Sequence, residues 1–427
     1  MKSNKDKLAI LGGDPVRVIP YPKHSTMIDE KEEKLVLDLL RDGELSGFSG
    51  RPGDRFLGGK YVKDMEARAK EIFDVKHVIS FNSATSAAHA AVSSAGIGPG
   101  DEVITSPFTM SATASAILMQ GAVPVFADIE DVTYGLDPES VKNKITPRTK
   151  GILAVNIFGH PARLHELKKI ADEHGIELME DNAQSPTAKY KDTMAGKVGS
   201  IGILSLNYHK VIQTGEGGMA LTNDDDFALH MQLKRNHGEV TVGKIDKENM
   251  LNQLGFNYRL PELCAAVGVA QLDKLKYLTK HRVNLALYLS KLLAEIDFLE
   301  PPRIEDDCEH VFYLFAMRFN EKIAGFTRNE FALAMKAEGV SILEGYMNPL
   351  YLEPIYQNFK AYGDGKFPFD YNDIAVDYTK GICPVAERMW ESDLLITDIC
   401  KYPNTVETVD EYLTAIKKVA AGLRDEK

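Results

Sequence analysis

Ser205-Leu206-Asn207-Tyr208-His209-Lys210-Val211-Ile212-Gln213-Thr214-Gly215-Glu216-Gly217-Gly218 joins two short apolar runs, residues 201–206 and 219–222. Runs of this length read as buried strands, and the glycines between them let the backbone return tightly. Most lysines in a chain are simply solvated. One held between a buried strand and a glycine turn is instead placed to meet a ligand carbonyl, so Lys210 is the first candidate for chemistry.

Working outward, strands are expected at 78–81, 102–106, 123–129, 151–158, 177–181, 201–206 and 218–222. Helices are expected between them at 83–95, 110–120, 138–144 and 163–174. Such alternation predicts an α/β fold, a mostly parallel sheet sandwiched by helices, with ligands at the carboxyl ends of its strands. Upstream, Gly12, Gly13, Pro15, Pro20 and Pro22 break residues 1–25 into an irregular arm. Amphipathic helices follow at 29–41 and 63–73, with a glycine-rich loop at 43–59. Downstream, helices at 261–275 and 280–295 precede a strand at 313–319 and helices at 328–338 and 409–421. Residues 1–275, arm included, are expected to form a large ligand-binding domain, and 276–427 a smaller C-terminal α/β domain.

A chain of 427 residues, 44% hydrophobic and 26% charged, is long enough for this arrangement. Fifty basic against 62 acidic residues give a net charge of −12, which argues against nonspecific nucleic-acid binding. No apolar run approaches the ~20 residues that span a bilayer, and the opening residues do not support a signal peptide. Cys264, Cys308, Cys383 and Cys400 lie far apart without paired metal-ligand spacing, so free thiols in the cytoplasm and no metal site are expected.

Three further segments carry polar chemistry. Asn82-Ser83-Ala84-Thr85-Ser86-Ala87 stands where a strand passes into a helix, and unpaired amides at a helix start favour a phosphate. The same residues also serve as an ordinary N-cap. Glu180-Asp181-Asn182-Ala183-Gln184 ends a strand, where a buried carboxylate needs a partner. A pyridinium nitrogen would suit it. Gly255-Phe256-Asn257-Tyr258-Arg259-Leu260-Pro261-Glu262 is a polar turn before an apolar helix, with Asn257 and Arg259 able to donate to an anion. Because neighbours in an extended segment point oppositely, only one of His209 and Lys210 is expected to face the site, and Lys210 is preferred.

These motifs, in this order, resemble the DegT/StrS family of pyridoxal-phosphate-dependent sugar aminotransferases, which share the fold type I architecture of aspartate aminotransferase. The likeness runs from Leu8-Ala9-Ile10-Leu11-Gly12-Gly13 to Pro384-Val385-Ala386-Glu387. It implies that Lys210 forms the Schiff base with pyridoxal 5'-phosphate, with pyridoxamine 5'-phosphate as the alternate form. It implies that Asp181 faces the pyridine nitrogen, that Gln184 packs by the ring, and that Ser205, Thr85 and Ser86 hold the phosphate. Asn257 is implied to reach the phosphate of a neighbouring subunit, so a homodimer follows. Two departures are Ala84, usually glycine in the phosphate turn, and Met110, where an aromatic usually stacks on the ring. Lys210 stands in register, with His209 one place off, which favours transamination over the dehydratase chemistry of relatives that carry histidine there.

The expected activity is therefore amino transfer from L-glutamate or L-glutamine to a nucleotide-linked 3- or 4-keto sugar. A keto-cyclitol such as scyllo-inosose, dehydration of a nucleotide sugar, and a non-catalytic binding role are the alternatives. Substrate contacts are expected from His209, Arg235, His237, Tyr346 and Asn348.

Overall fold

The computed structural model describes residues 6–22, 27–51, 53–238, 254–371 and 375–425, so residues 1–5 and 23–25 of the expected arm lie outside the described residues. Five strands come first: β1 (His77–Phe81), β2 (Glu102–Thr105), β3 (Val123–Phe126), β4 (Thr149–Val155) and β5 (Glu177–Asp181). A hairpin of β6 (Lys189–Tyr190) and β7 (Thr193–Met194) follows, then β8 (Ile201–Ser205) and β9 (Gly218–Thr222). The main sheet has the order β1-β9-β8-β5-β4-β2-β3. β9 runs antiparallel to both neighbours and the other six strands share one direction, as the alternation of strands and helices leads one to expect.

Eight helices are labelled in chain order: α1 (Glu30–Asp42), α2 (Lys60–Phe73), α3 (Ala84–Ser94), α4 (Ser111–Met119), α5 (Pro138–Lys144), α6 (Leu164–His174), α7 (Asp225–Arg235) and α8 (Glu262–Leu293). Consecutive strand residues face opposite sides of a sheet. Leu153 of β4 accordingly packs with Ala87, Ala91 and Ile117 of α3 and α4, while Ile152 packs with Val141, Leu164 and Ile170 of α5 and α6. The sheet is thus covered on both faces, and its continuous apolar strands need no alternation.

The expected helices 261–275 and 280–295 are one unbroken helix, α8. What changes along it is the pattern of burial. Ala265, Ala266, Gly268, Val269, Ala270, Gln271 and Leu272 are all buried, whereas beyond Leu278 only a stripe through Arg282, Leu285, Ala286, Leu289 and Leu293 is. The first half packs with Tyr61, Val62 and Met65 of α2, and the second with the C-terminal layer. That layer is an antiparallel sheet of Leu299–Glu300, Phe315–Phe319, Leu394–Thr397 and Leu343–Glu344 beneath helices Arg328–Ala337 and Val406–Asp425. The N-terminal arm fastens here rather than on the main sheet. The fully buried Glu338 carboxylate accepts from the Ala9 and Val16 amides at 2.8 and 3.0 Å and from Lys418 Nζ at 2.8 Å. Among the described residues, no helix is long and apolar enough to cross a membrane.

Candidate active site

Six strands with a common direction end at one edge of the sheet, and a cavity of about 170 Å3 opens there. Asp181 ends β5 and Ser205 ends β8, and both line it. So do Ala84 and Thr85 from the start of α3, Thr109 and Met110 from the start of α4, and Gln184. Lys210 lines it from the loop between β8 and β9.

That loop is tied down. The Leu206 amide donates to Gly217 O at 3.0 Å and the Thr214 amide to Leu206 O at 2.9 Å. Val211 and Ile212 are buried in the core shared by α2 and α8. Asn207 Nδ2 lies 2.9 Å from each carboxylate oxygen of Glu216. Residues 207–210 form a turn, with the Lys210 amide donating to Asn207 O at 2.9 Å. The segment is therefore not extended, and both His209 and Lys210 border the cavity, contrary to the expectation that one would turn away. Burial, and secondly the adjacent lysine, lowers the His209 pKa.

Burial also pulls the Lys210 amine down to about 8, opposed by the charge of Asp181. A desolvated ammonium loses hydration that a neutral amine does not need. The amine lies 4.6 Å from the ring centroid of Tyr313, a cavity residue read from the sequence only as the start of a strand. Tyr313 is held by its carbonyl, which accepts from the buried Arg282 at 2.8 Å.

Asp181 Oδ2 accepts from Thr113 Oγ1 at 2.7 Å, and its Oδ1 from the Ala183 amide at 3.2 Å. The preceding carboxylate, Glu180, points the other way. It is fully buried and accepts from the amides of Gly196, Val198 and Gly199 at 2.6, 2.8 and 2.7 Å, so it closes a loop. Gln184 Oε1 accepts from the Phe158 amide at 2.9 Å, and its Nε2 donates to Tyr346 Oη at 2.9 Å. Tyr346 also lines the cavity.

Ser83 caps α3, its Oγ accepting from the Ser86 amide at 3.1 Å while its carbonyl accepts from Ala87. The first-turn amides of Ala84 and Thr85 fall outside both bonds. A strand crosses directly below: a Cβ on Gly218 would stand 2.4 Å from Ala84 N and 2.5 Å from the Ser83 carbonyl carbon. Glycine there lets β9 run against the helix start.

Five expected residues are placed elsewhere. Ser86 is buried behind the cavity and its hydroxyl donates to Asn82 Oδ1 at 2.7 Å. Asn257 is exposed and lies outside its own chain's cavity. Arg235 is 0% exposed, paired with Glu66 at 2.7 Å and donating to Ser80 O at 3.1 Å, so its guanidinium is consumed within the fold. His237 is an exposed turn residue with φ of 65°. Asn348 Nδ2 donates to Glu353 at 2.9 Å, away from the cavity.

Residues 51–373 match the DegT/DnrJ/EryC1/StrS aminotransferase family. The chain belongs to that family. It is an aminotransferase of fold type I whose cofactor is pyridoxal phosphate. Among its relatives, the spore coat polysaccharide biosynthesis protein SpsC of Bacillus subtilis is 32% identical over 81% of this chain and 88% of its own. A GDP-perosamine synthase of Caulobacter vibrioides is 32% identical over 70% of this chain and 79% of its own. The X-ray structure of an aminotransferase from Psychrobacter cryohalolentis superposes with a TM-score of 0.81 at 26% identity, covering 95% of this chain and all of that one. That of DesV from S. venezuelae, in complex with a ketimine intermediate, gives 0.76 at 27% identity over 91% and 94%. Both span the main sheet and the C-terminal layer.

Proposed function

We propose that this family member moves an amino group from L-glutamate or L-glutamine to the carbonyl of a nucleotide-linked 3- or 4-keto sugar, as a cytoplasmic homodimer. The observation that carries the reading is the placing of Lys210 and Asp181 on one cavity beside the first turn of α3. The GDP-perosamine synthases among the relatives support a nucleotide-linked substrate. Four free cysteines, two of them buried, accord with a reducing compartment.

The residues present fit the cofactor: an amine near neutrality, a carboxylate held by Thr113, and a helix start with first-turn amides left for a phosphate. Pyridoxal phosphate, when bound, supplies an aldehyde for the amine and a ring that takes up the electron pair left by deprotonation at the donor's Cα. Asp181, its oxygens held by Thr113 and the Ala183 amide, would face the ring nitrogen and favour its protonated form. Lys210, whose buried amine is drawn towards the neutral form, would hold the cofactor through its aldehyde carbon with loss of water and, when free, would serve as the base that moves the donor's Cα proton. The amides of Ala84 and Thr85, with the Ser205 hydroxyl, would hold the phosphate. Met110 would cover the ring and Gln184 would lie beside it. Asn257, exposed in its own chain, would reach the phosphate held by a second copy. His209 and Tyr346 are the substrate contacts nearest the chemistry.

Absorbance tests this reading. The holoenzyme should show the visible band of lysine-bound pyridoxal phosphate, Lys210→Ala should lack it, and L-glutamate should bleach it. A keto sugar that restores the band identifies the acceptor class; a keto-cyclitol doing so instead would move the substrate there. Ammonia released with no amino donor would make the enzyme a dehydratase, and a band that glutamate leaves unchanged would overturn the transfer.

A further inference from the structure

Tyr346 is tied to Gln184 in a way that fixes the direction of every hydrogen bond between them. Gln184 Oε1 accepts from the Phe158 amide at 2.9 Å, so the Nε2 end must face Tyr346, and its N–H donates to the phenol oxygen at 2.9 Å. A phenol that accepts from an amide retains its own proton to give. The ring has little freedom. It stands edge-on to Phe158 and Phe108, with centroids 5.0 and 5.8 Å away. Burial raises the phenol to about 12, the Gln184 bond opposing the rise and the Asp181 charge adding to it, so the proton stays on at neutral pH. The residue lies on the chain leaving the strand Leu343–Glu344, and four residues later the Leu350 amide donates to Pro107 O at 2.9 Å, pinning the segment over the cavity.

We propose that Tyr346, aimed by Gln184, donates its hydroxyl proton to an anionic oxygen of the ligands in this cavity. That oxygen is either the ionised ring hydroxyl of the cofactor or the carboxylate of the amino donor. The inference rests on the aminotransferase reading and assigns the site a neutral donor that complements the charged Lys210 and Asp181. A neutral, preorganised donor stabilises an anion without introducing a second charge beside the lysine.

Tyr346→Phe keeps the ring, its packing and its volume, and removes only the oxygen. Unchanged thermal unfolding establishes that the variant folds; if it does not fold, Tyr346→Leu, apolar and without a donor, is measured in its place. Two readouts follow on the holoenzyme. If the acceptor is the cofactor's oxygen, the pH midpoint of the visible band moves by about one unit. If it is the donor's carboxylate, the band is unmoved and KM for L-glutamate rises about tenfold with kcat nearly unchanged. A folded variant whose band midpoint and glutamate KM both match the parent overturns the proposal. A parent protein that shows no visible band with pyridoxal phosphate instead overturns the aminotransferase reading itself, a distinguishable failure.

Discussion

The amine of Lys210 lies 4.6 Å from the centre of the Tyr313 ring. An aromatic face offers a cation only part of what water gives it. Burial accordingly draws the amine from its usual 10.5 to about 8, even with Asp181 pulling the other way. The neutral form is the nucleophile, so capture of pyridoxal phosphate by the apoprotein should accelerate with pH and level off above about 8. At pH 7 about a tenth of the sites should be reactive, against well under a thousandth for an ordinary lysine. Stopped-flow absorbance across pH 6–10 checks this; an inflection near 10 would contradict it. The linked effect on stability has a definite sign. Between about pH 8 and 10.5 the unfolded chain binds the extra proton, so folding stability rises with pH there, and below 8 the cost of burying the cation is fully present. Lys210→Met should therefore raise the apoprotein Tm at pH 7, with the gain vanishing towards pH 11.

Asp181 has one oxygen fixed by Thr113 and the other by the Ala183 amide. Its charge, rather than its shape, is what a pyridinium would need. Asp181→Asn should slow the glutamate half-reaction by about two to four orders of magnitude while leaving the unfolding transition near that of the parent. Thr113→Val should act more mildly. Losing one hydrogen bond to a charged group should weaken cofactor retention about tenfold, measured by equilibrium dialysis. If both variants leave the half-reaction unchanged, Asp181 does not face the ring nitrogen.

Gly218 has no room for a side chain. The atoms a Cβ would meet, Ala84 N and the Ser83 carbonyl at 2.4–2.6 Å, are backbone and cannot swing aside. Gly218→Ala must displace the first turn of α3, the turn read here as the phosphate cradle. The expected outcome is a stability loss of about 1–3 kcal/mol together with a sharply weaker affinity for pyridoxal phosphate. Gly215→Ala supplies the contrast. It has open space about it but a φ of +80°, so it should be strained without moving the α3 turn and should spare phosphate binding.

What the sequence disclosed of the site is what lies close along the chain. Asp181 and Ser205 end strands, Thr85 begins a helix, and Lys210 follows a strand, so local pattern places each at the same sheet edge. Contacts made from far away were not legible. The start of α2 was expected three residues late because its cap comes from elsewhere: Glu262, 1% exposed, accepts from the Gly59 and Tyr61 amides at 3.0 and 2.7 Å across some 200 residues. Tyr313 reaches Lys210 because its segment is pinned beyond the end of β4, the Val311 and Leu314 amides donating to Gly159 O and Phe158 O at 2.9 and 3.1 Å. His209 and Lys210 share the cavity because the alternation of side chains in a strand does not hold in a turn, here closed by the bond from the Lys210 amide to Asn207 O. α8 was read as two helices because all-round burial gives way to a single stripe, which changes the hydrophobic period without breaking the backbone.

Arg235 shows why a polar residue near a ligand loop need not touch the ligand. Its guanidinium is wholly buried, bonded to Glu66 at 2.7 Å, to Ser80 O at 3.1 Å and to Leu57 O at 3.4 Å, and it lies 4.8 Å from the Phe48 ring. It therefore ties α7 to α2, β1 and the glycine-rich loop. Removing the cation strips Glu66 of its counter-ion and leaves that oxygen only the Ser80 amide and hydroxyl, at 2.8 Å each, and breaking such a pair typically costs up to about 3–5 kcal/mol. Arg235→Met should lower the denaturant midpoint substantially, and Glu66→Gln should do so by less, because the amide still accepts. A double variant should lose less than the sum of the two, since each single change strands the other group. If Arg235 contacted substrate instead, Arg235→Met would raise KM for the keto sugar with the unfolding curve unmoved, so the comparison of the two measurements decides between a strut and a binding residue.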